Sequence, residues 1–349
     1  MKKSISIIKI TVAILCLGTI SCTNNGKIKK ISEEWVYTNP PFAQCHASTI
    51  EEVAPNKFMI SAFGGTKEKD PDVCIWLSSE ENGEWKQPVK IADGIMNDTL
   101  RYPTWNPVLF KANEGKLFLF YKVGPNPRDW WGMVMTSEDN GKNWSVPERL
   151  PNGILGPIKN KPIQLANGTI ISPSSTETNT NEGPNCKAHI ERSADLGKTW
   201  QIIPIDPNTE FNVIQPSILE YPNNKLEVLC RSRENSVMQA YSNDNGTTWG
   251  SFTKTDLPNP NSGTDAVTLK NGWHVLVYNP TVKGKGGRAK LNMAISKDGK
   301  KWVDKVLLEN EEQGEFSYPA VIQAQDGKIH VTYTFNRINV KHVILDWVN

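Results

Sequence analysis

Helical periodicity is nearly absent from this chain of 349 residues, and no long apolar run recurs beyond Ile20. The first absence argues against helical bundles and helix-flanked parallel sheets, the second against a later membrane-spanning helix. Charge of one sign is also missing. A total of 39 Lys and Arg against 37 Asp and Glu leaves a formal +2, which argues against a nucleic-acid binder. The 5 histidines are scattered, so no metal site is expected, and no cofactor is implied. Of 6 cysteines, Cys16 and Cys22 fall in the first segment. Cys45, Cys74, Cys186 and Cys230 follow at a spacing that fits neither a zinc site nor a small disulfide scaffold. Pairing in an oxidising compartment and buried free thiols both stay open for these four.

The start of the chain reads as a signal peptide over residues 1–22: Met1-Lys2-Lys3, an apolar run from Ile7 to Ile20, then Ser21-Cys22. Thr19-Ile20-Ser21-Cys22 resembles the lipobox of bacterial lipoproteins, which implies a lipid on Cys22. The expected location is the bacterial cell envelope, with the membrane touched through that anchor alone. Polar residues 23–31 read as a tether, and 32–349 as one large all-β domain.

What is abundant is repetition. Ser137-Glu138-Asp139-Asn140-Gly141-Lys142-Asn143-Trp144 returns as Ser193-x-Asp195-x-Gly197-x-x-Trp200 and Ser242-x-Asp244-x-Gly246-x-x-Trp249. A copy one residue shorter runs from Ser296 through Asp298 and Gly299 to Trp302, and a degenerate one from Ser78 to Trp85. Asp and Gly shape a hairpin turn, and Trp covers the blade edge. Six further turn signals separate short apolar runs: Pro55-Asn56, Glu114-Gly115, Asn167-Gly168, Asn223-Asn224, Asn271-Gly272 and Asp326-Gly327. Evenly spaced short strands of this kind predict a six-bladed β-propeller. The last blade runs out of chain, so Glu33–Tyr37 is expected to supply its fourth strand and remove an open edge.

Aligning the inner strands on an apolar residue four positions on puts His46, Asn106, Lys161, Gln215, Asp265 and Tyr318 at one mouth of the barrel. Lys159, Arg231, Arg288 and Arg337 fall near the same end. Guanidinium forks bind carboxylates bidentately, so an anionic sugar, sialic or uronic, is the expected ligand. Trp130-Trp131 is a candidate stacking platform, and Glu177 and Glu191 are further pocket candidates.

The repeated Ser-x-Asp-x-Gly-x-x-Trp phrase resembles the Asp-box, or BNR repeat, of sialidases, over about residues 42–342. That resemblance implies three arginines on the substrate carboxylate, a tyrosine nucleophile assisted by a glutamate, and an aspartate acid/base. Arg231 and Arg288 match the second and third arginines, Tyr318 the nucleophile and Asp72 the acid/base. Two positions depart: His46 stands near the place of the first arginine, and Gln215 replaces the glutamate. An amide cannot accept the tyrosine's proton, so Asp265 is the expected substitute base, with Glu315 next in line.

Three functions follow. The first is an exo-acting hydrolase that removes a terminal acidic sugar through Tyr318 and Asp72. The second is a uronate lyase with His46 or Tyr318 as base. The third is a non-catalytic glycan-binding lipoprotein, since loss of the glutamate is what lost activity would look like.

Overall fold

The computed structural model describes residues 27–181 and 183–348, so the leader and Cys22 lie outside the described residues. Six small antiparallel sheets form a six-bladed β-propeller, with no helix among the described residues. The blades begin at the axis with Gln44–Ala54, Thr104–Lys111, Ile163–Gln164, Val213–Glu220, Asp265–Thr268 and Phe316–Gln323. Each of the six turn signals joins a blade's first strand to its second.

The Asp-box turns lie between third and fourth strands, and their residues explain themselves. Ser137 Oγ accepts the Gly141 N–H at 2.9 Å, Asp139 Oδ1 accepts that of Asn143 at 2.9 Å, and Trp144 Nε1 donates to Gly141 O at 3.1 Å. The same bonds recur at Ser193–Trp200, Ser242–Trp249 and Ser296–Trp302. Each Trp is half-buried against an apolar cluster, so the turn is tied to the core as well as to itself.

Closure comes from Lys27–Trp35, which pairs antiparallel with Asn339–Val348 as the outer strand of blade six. This strand starts earlier than expected. Residues 27–31, read as tether, are part of the blade, whereas Val36 and Tyr37 lie past its end and are buried. Cys45, Cys74, Cys186 and Cys230 are all buried free thiols.

The inner strands correct the predicted ring. Pairing skips two residues between His46 and Thr49, Trp105 and Val108, Ile214 and Ser217, and Ser317 and Ala320. The first skipped residue is left-handed each time: Ala47 (φ 54°), Asn106 (35°), Gln215 (55°) and Tyr318 (53°). These are β-bulges, which re-aim a side chain toward the mouth. Ala112, Leu165, Tyr221, Leu269 and Ala324 each donate their N–H across the following turn, which gives a common reference. Six residues upstream stand Asn106, Lys159, Gln215, Gly263 and Tyr318. Lys159 and Gly263 therefore replace Lys161 and Asp265 in the ring, and Ala47 replaces His46. The sequence alignment slipped because it matched Leu165 and Leu269, which stand at that reference, to Phe110, Leu219 and Ile322, which stand two residues before it.

Candidate active site at the axial mouth

Tyr318 is the centre of the mouth. Its bulge turns the ring toward blade four, where Arg231 Nη1 donates to Oη at 2.7 Å and Gln215 Nε2 at 3.4 Å. Arg231 also donates through Nη1 to Gln215 Oε1 at 3.3 Å and through Nε to Asn261 Oδ1 at 2.8 Å, so its plane is fixed. The guanidinium carbons of Arg231 and Arg288 lie 5.7 and 5.5 Å from the Tyr318 ring centre, and Lys159 Nζ 5.9 Å. Among the described residues no carboxylate hydrogen-bonds Oη.

A second tier holds the other arginines. Glu315 Oε1 accepts from Arg288 Nη1 and Oε2 from Arg337 Nε, both at 2.7 Å. Arg337 Nη1 also pairs with Glu68. Burial acts to raise the Glu315 pKa, but Arg337 and Arg288 outweigh it and leave the carboxyl below its ordinary value. Glu315 thus buttresses two guanidiniums rather than contacting the tyrosine oxygen.

His46, one residue outside its expected ring position, still reaches the site. Its ring lies 4.2 Å from that of Tyr318, and Nδ1 shares a 2.9 Å hydrogen bond with Thr334 Oγ1. Burial, then the charges of Arg337, Arg288, Arg231 and Lys159, hold its pKa well below the ordinary range. The imidazole is neutral at physiological pH.

Asp265 does not meet Tyr318. It lies one strand step deeper, where Oδ2 accepts from Lys161 Nζ at 2.9 Å and Val321 N at 2.8 Å. Oδ1 takes Ser217 Oγ and Ala266 N at 3.1 and 2.9 Å. A buried carboxylate with these four donors is a cross-brace, and the substitute-base assignment is withdrawn. Lys161 is its partner and has no place in the mouth.

Other candidates scatter. Asn106 is buried and donates to Ile158 O at 3.0 Å. Glu177 lies with Trp130, Trp131, Arg128 and Arg149 in a separate cleft between blades two and three. One face of Trp131 already carries Arg149, at 5.0 Å. Glu191 is fully buried and accepts the N–H groups of Leu155 and Gly156. Asp72 is exposed at the rim, where Oδ2 closes its own loop onto Thr66 N at 2.9 Å. Glu68 belongs to that loop, so the Arg337 ion pair ties the Asp72 segment to the mouth. Sequence reading missed Asn160, Asn261, Gly263 and Glu68. Counting back from the turns would have found Gly263.

The BNR repeat-like domain model matches residues 56–331. Three solved structures show the likeness of fold. A protein of unknown function from Dyadobacter fermentans has a TM-score of 0.75 at 17% identity, over 92% of this chain and 99% of that one. The NanB sialidase of Streptococcus pneumoniae, bound to an ethanesulfonate compound, scores 0.69 at 11% identity, over 90% and 70%. The intramolecular trans-sialidase of Ruminococcus gnavus, in complex with oseltamivir carboxylate, scores 0.68 at 13% identity, over 91% and 98%. No curated protein matches.

Proposed function

Since the chain belongs to the BNR repeat-like family and is a diverged sialidase-like propeller, we propose that it is an exo-acting glycoside hydrolase for a terminal acidic sugar. The observation that carries this reading is Arg231 on Tyr318 Oη, with Arg288 over the same ring and Arg337 joined to Arg288 through Glu315. A site so rich in cations suits a sugar carboxylate. The trans-sialidase neighbour was solved with a compound that is by name a carboxylate.

With its proton passed to solvent, Tyr318 Oη would attack the anomeric carbon as the phenolate while protonated Asp72 gives its proton to the departing oxygen; water would then displace the tyrosine and return a proton to Asp72. Both groups that reach Oη are donors. The phenolate is held by a guanidinium, and its proton goes to water and not to a carboxylate.

Elimination is the second reading, favoured by one observation: a neutral His46 packed on Tyr318 among arginines. The arginines would neutralise a uronate, and His46 would take the adjacent proton. Mass spectrometry of glycans capped by acidic sugars, run with the mature chain, separates the outcomes. Hydrolysis adds one water across the cleaved bond, and elimination leaves an unsaturated product that absorbs in the ultraviolet. Binding without cleavage would leave a glycan-binding lipoprotein.

We further propose lipid anchoring at Cys22 in the bacterial envelope, supported by the leader pattern alone. Cys22→Ser should move the protein out of the membrane fraction, and unchanged fractionation would refute the anchor.

A further inference from the structure

Lys159 is buried where blade three reaches the axis. Its amine has three acceptors: Asn160 Oδ1 at 2.8 Å, Thr264 O of blade five at 2.9 Å, and Pro319 O of blade six. An ammonium carries three N–H groups, so none is left for a ligand. Asn160 faces the opposite neighbour. Its Nδ2 donates to Gln215 O at 3.0 Å and to Ser217 Oγ at 2.8 Å, both in blade four. Two consecutive residues thus join blade three to blades four, five and six.

Two of the three carbonyls they grip belong to the bulges that carry the site. One is Gln215's own, and the other is that of Pro319, next to Tyr318. Both Gln215 and Tyr318 are left-handed, a conformation that residues with a Cβ keep only where their surroundings impose it. Blade five leaves room for the arrangement with Gly263. A Cβ there would stand 3.3 Å from Gln215 Oε1, 3.3 Å from Lys159 Cε and 3.4 Å from the Tyr318 ring. Lysine stem, amide and phenol ring meet over that glycine.

We propose that Lys159 and Asn160 are positioning residues, an axial clasp that holds the backbone of Gln215 and Tyr318 so that both side chains meet Arg231. Neither contacts the ligand. The kinetic consequence rests on the hydrolase reading; the structural one does not.

The test is the ¹⁹F resonance of Tyr318 in the mature chain labelled with 3-fluorotyrosine, assigned through Tyr318→Phe. Lys159→Met and Asn160→Asp should each move that resonance, while Glu177→Gln, in the other cleft, should leave it in place. Affinity for N-acetylneuraminate should stay near wild type in Lys159→Met. Its turnover should fall about 10²-fold, the cost of misplacing a reactive group by about an ångström. An unmoved resonance in folded Lys159→Met overturns the clasp, as does lost affinity with the resonance in place, which would make Lys159 a ligand contact. If Lys159→Met does not fold, Asn160→Asp decides on the same signal. Failure of N-acetylneuraminate to bind the unmutated protein would count against the acidic-sugar reading, and the resonance would still decide the clasp.

Discussion

Blades two and four place a basic residue on the same rung, and use it in opposite ways. Lys122 and Arg231 each stand six residues after the lysine whose carbonyl closes the inner turn, Lys116 and Lys225. Lys122 is fully buried, donates to Pro157 O, and is pushed by burial down to about 7 against the pull of Glu191. Arg231 is half-buried and meets Tyr318. The neighbours decide the difference. Beside blade two, the segment at 155–158 fills the gap, with Glu191 holding its N–H groups. Beside blade four, the facing positions are a glycine and two bulges, which leave a mouth. Equivalence in a repeat fixes where a side chain starts and leaves open what it does.

Replacing the two residues in turn should break that symmetry most visibly. Arg231→Met should lower kcat/KM on an acidic glycan by about 10²–10³-fold, as for loss of one donor to a developing charge. Its thermal melt should be almost unmoved. Lys122→Met should do the reverse, with turnover kept and stability level or slightly higher, because an apolar side chain replaces a buried amine. Equal kinetic losses in both variants would refute the contrast.

A second difference separates the mouth from the layer beneath it. Tyr318→Phe should cost turnover and little stability. Asp265→Asn should cost about 3 kcal/mol of stability, measured by denaturant unfolding, since it leaves half-buried Lys161 without its countercharge. Full stability with lost turnover would restore Asp265 to the chemistry.

These contrasts also show what the amino-acid order could reveal. Turn residues and Ser-x-Asp-x-Gly-x-x-Trp repeats are local, so blade number, turn positions and the closing strand were all readable. The bulges were not. Trp105–Val108 and Ile214–Ser217 look like ordinary strand starts, yet each sets two residues opposite one and so changes the pairing frame within the strand. Asp265 and Lys161 were placed at the mouth because the apolar match ran two residues out of step with the turns. The same alignment did place His46 and Tyr318 at one mouth, where their rings meet; the contact itself depends on the bends at the two bulges.

The smallest effect concerns acid. Burial holds His330 at about 3 and His274 at about 4, so both are neutral in the fold and charge only when it opens. Their contribution is complete above pH 6.5 and is lost as pH falls toward those values, by at most about 1.4 kcal/mol per pH unit per histidine. The melting temperature should therefore drop between pH 7 and pH 5, with a shallower slope in His330→Gln. An equal slope would place the titration elsewhere.

The most direct test of the cationic mouth is a calorimetric titration of the mature chain with N-acetylneuraminate and glucuronate, beside galactose and glucose. A mouth built around Arg231, Arg288 and Arg337 should bind at least one acid, weaken as salt is raised, lose that binding in Arg231→Met, and ignore the neutral sugars. Equal binding of a neutral sugar, or acid binding unchanged in Arg231→Met, would contradict it.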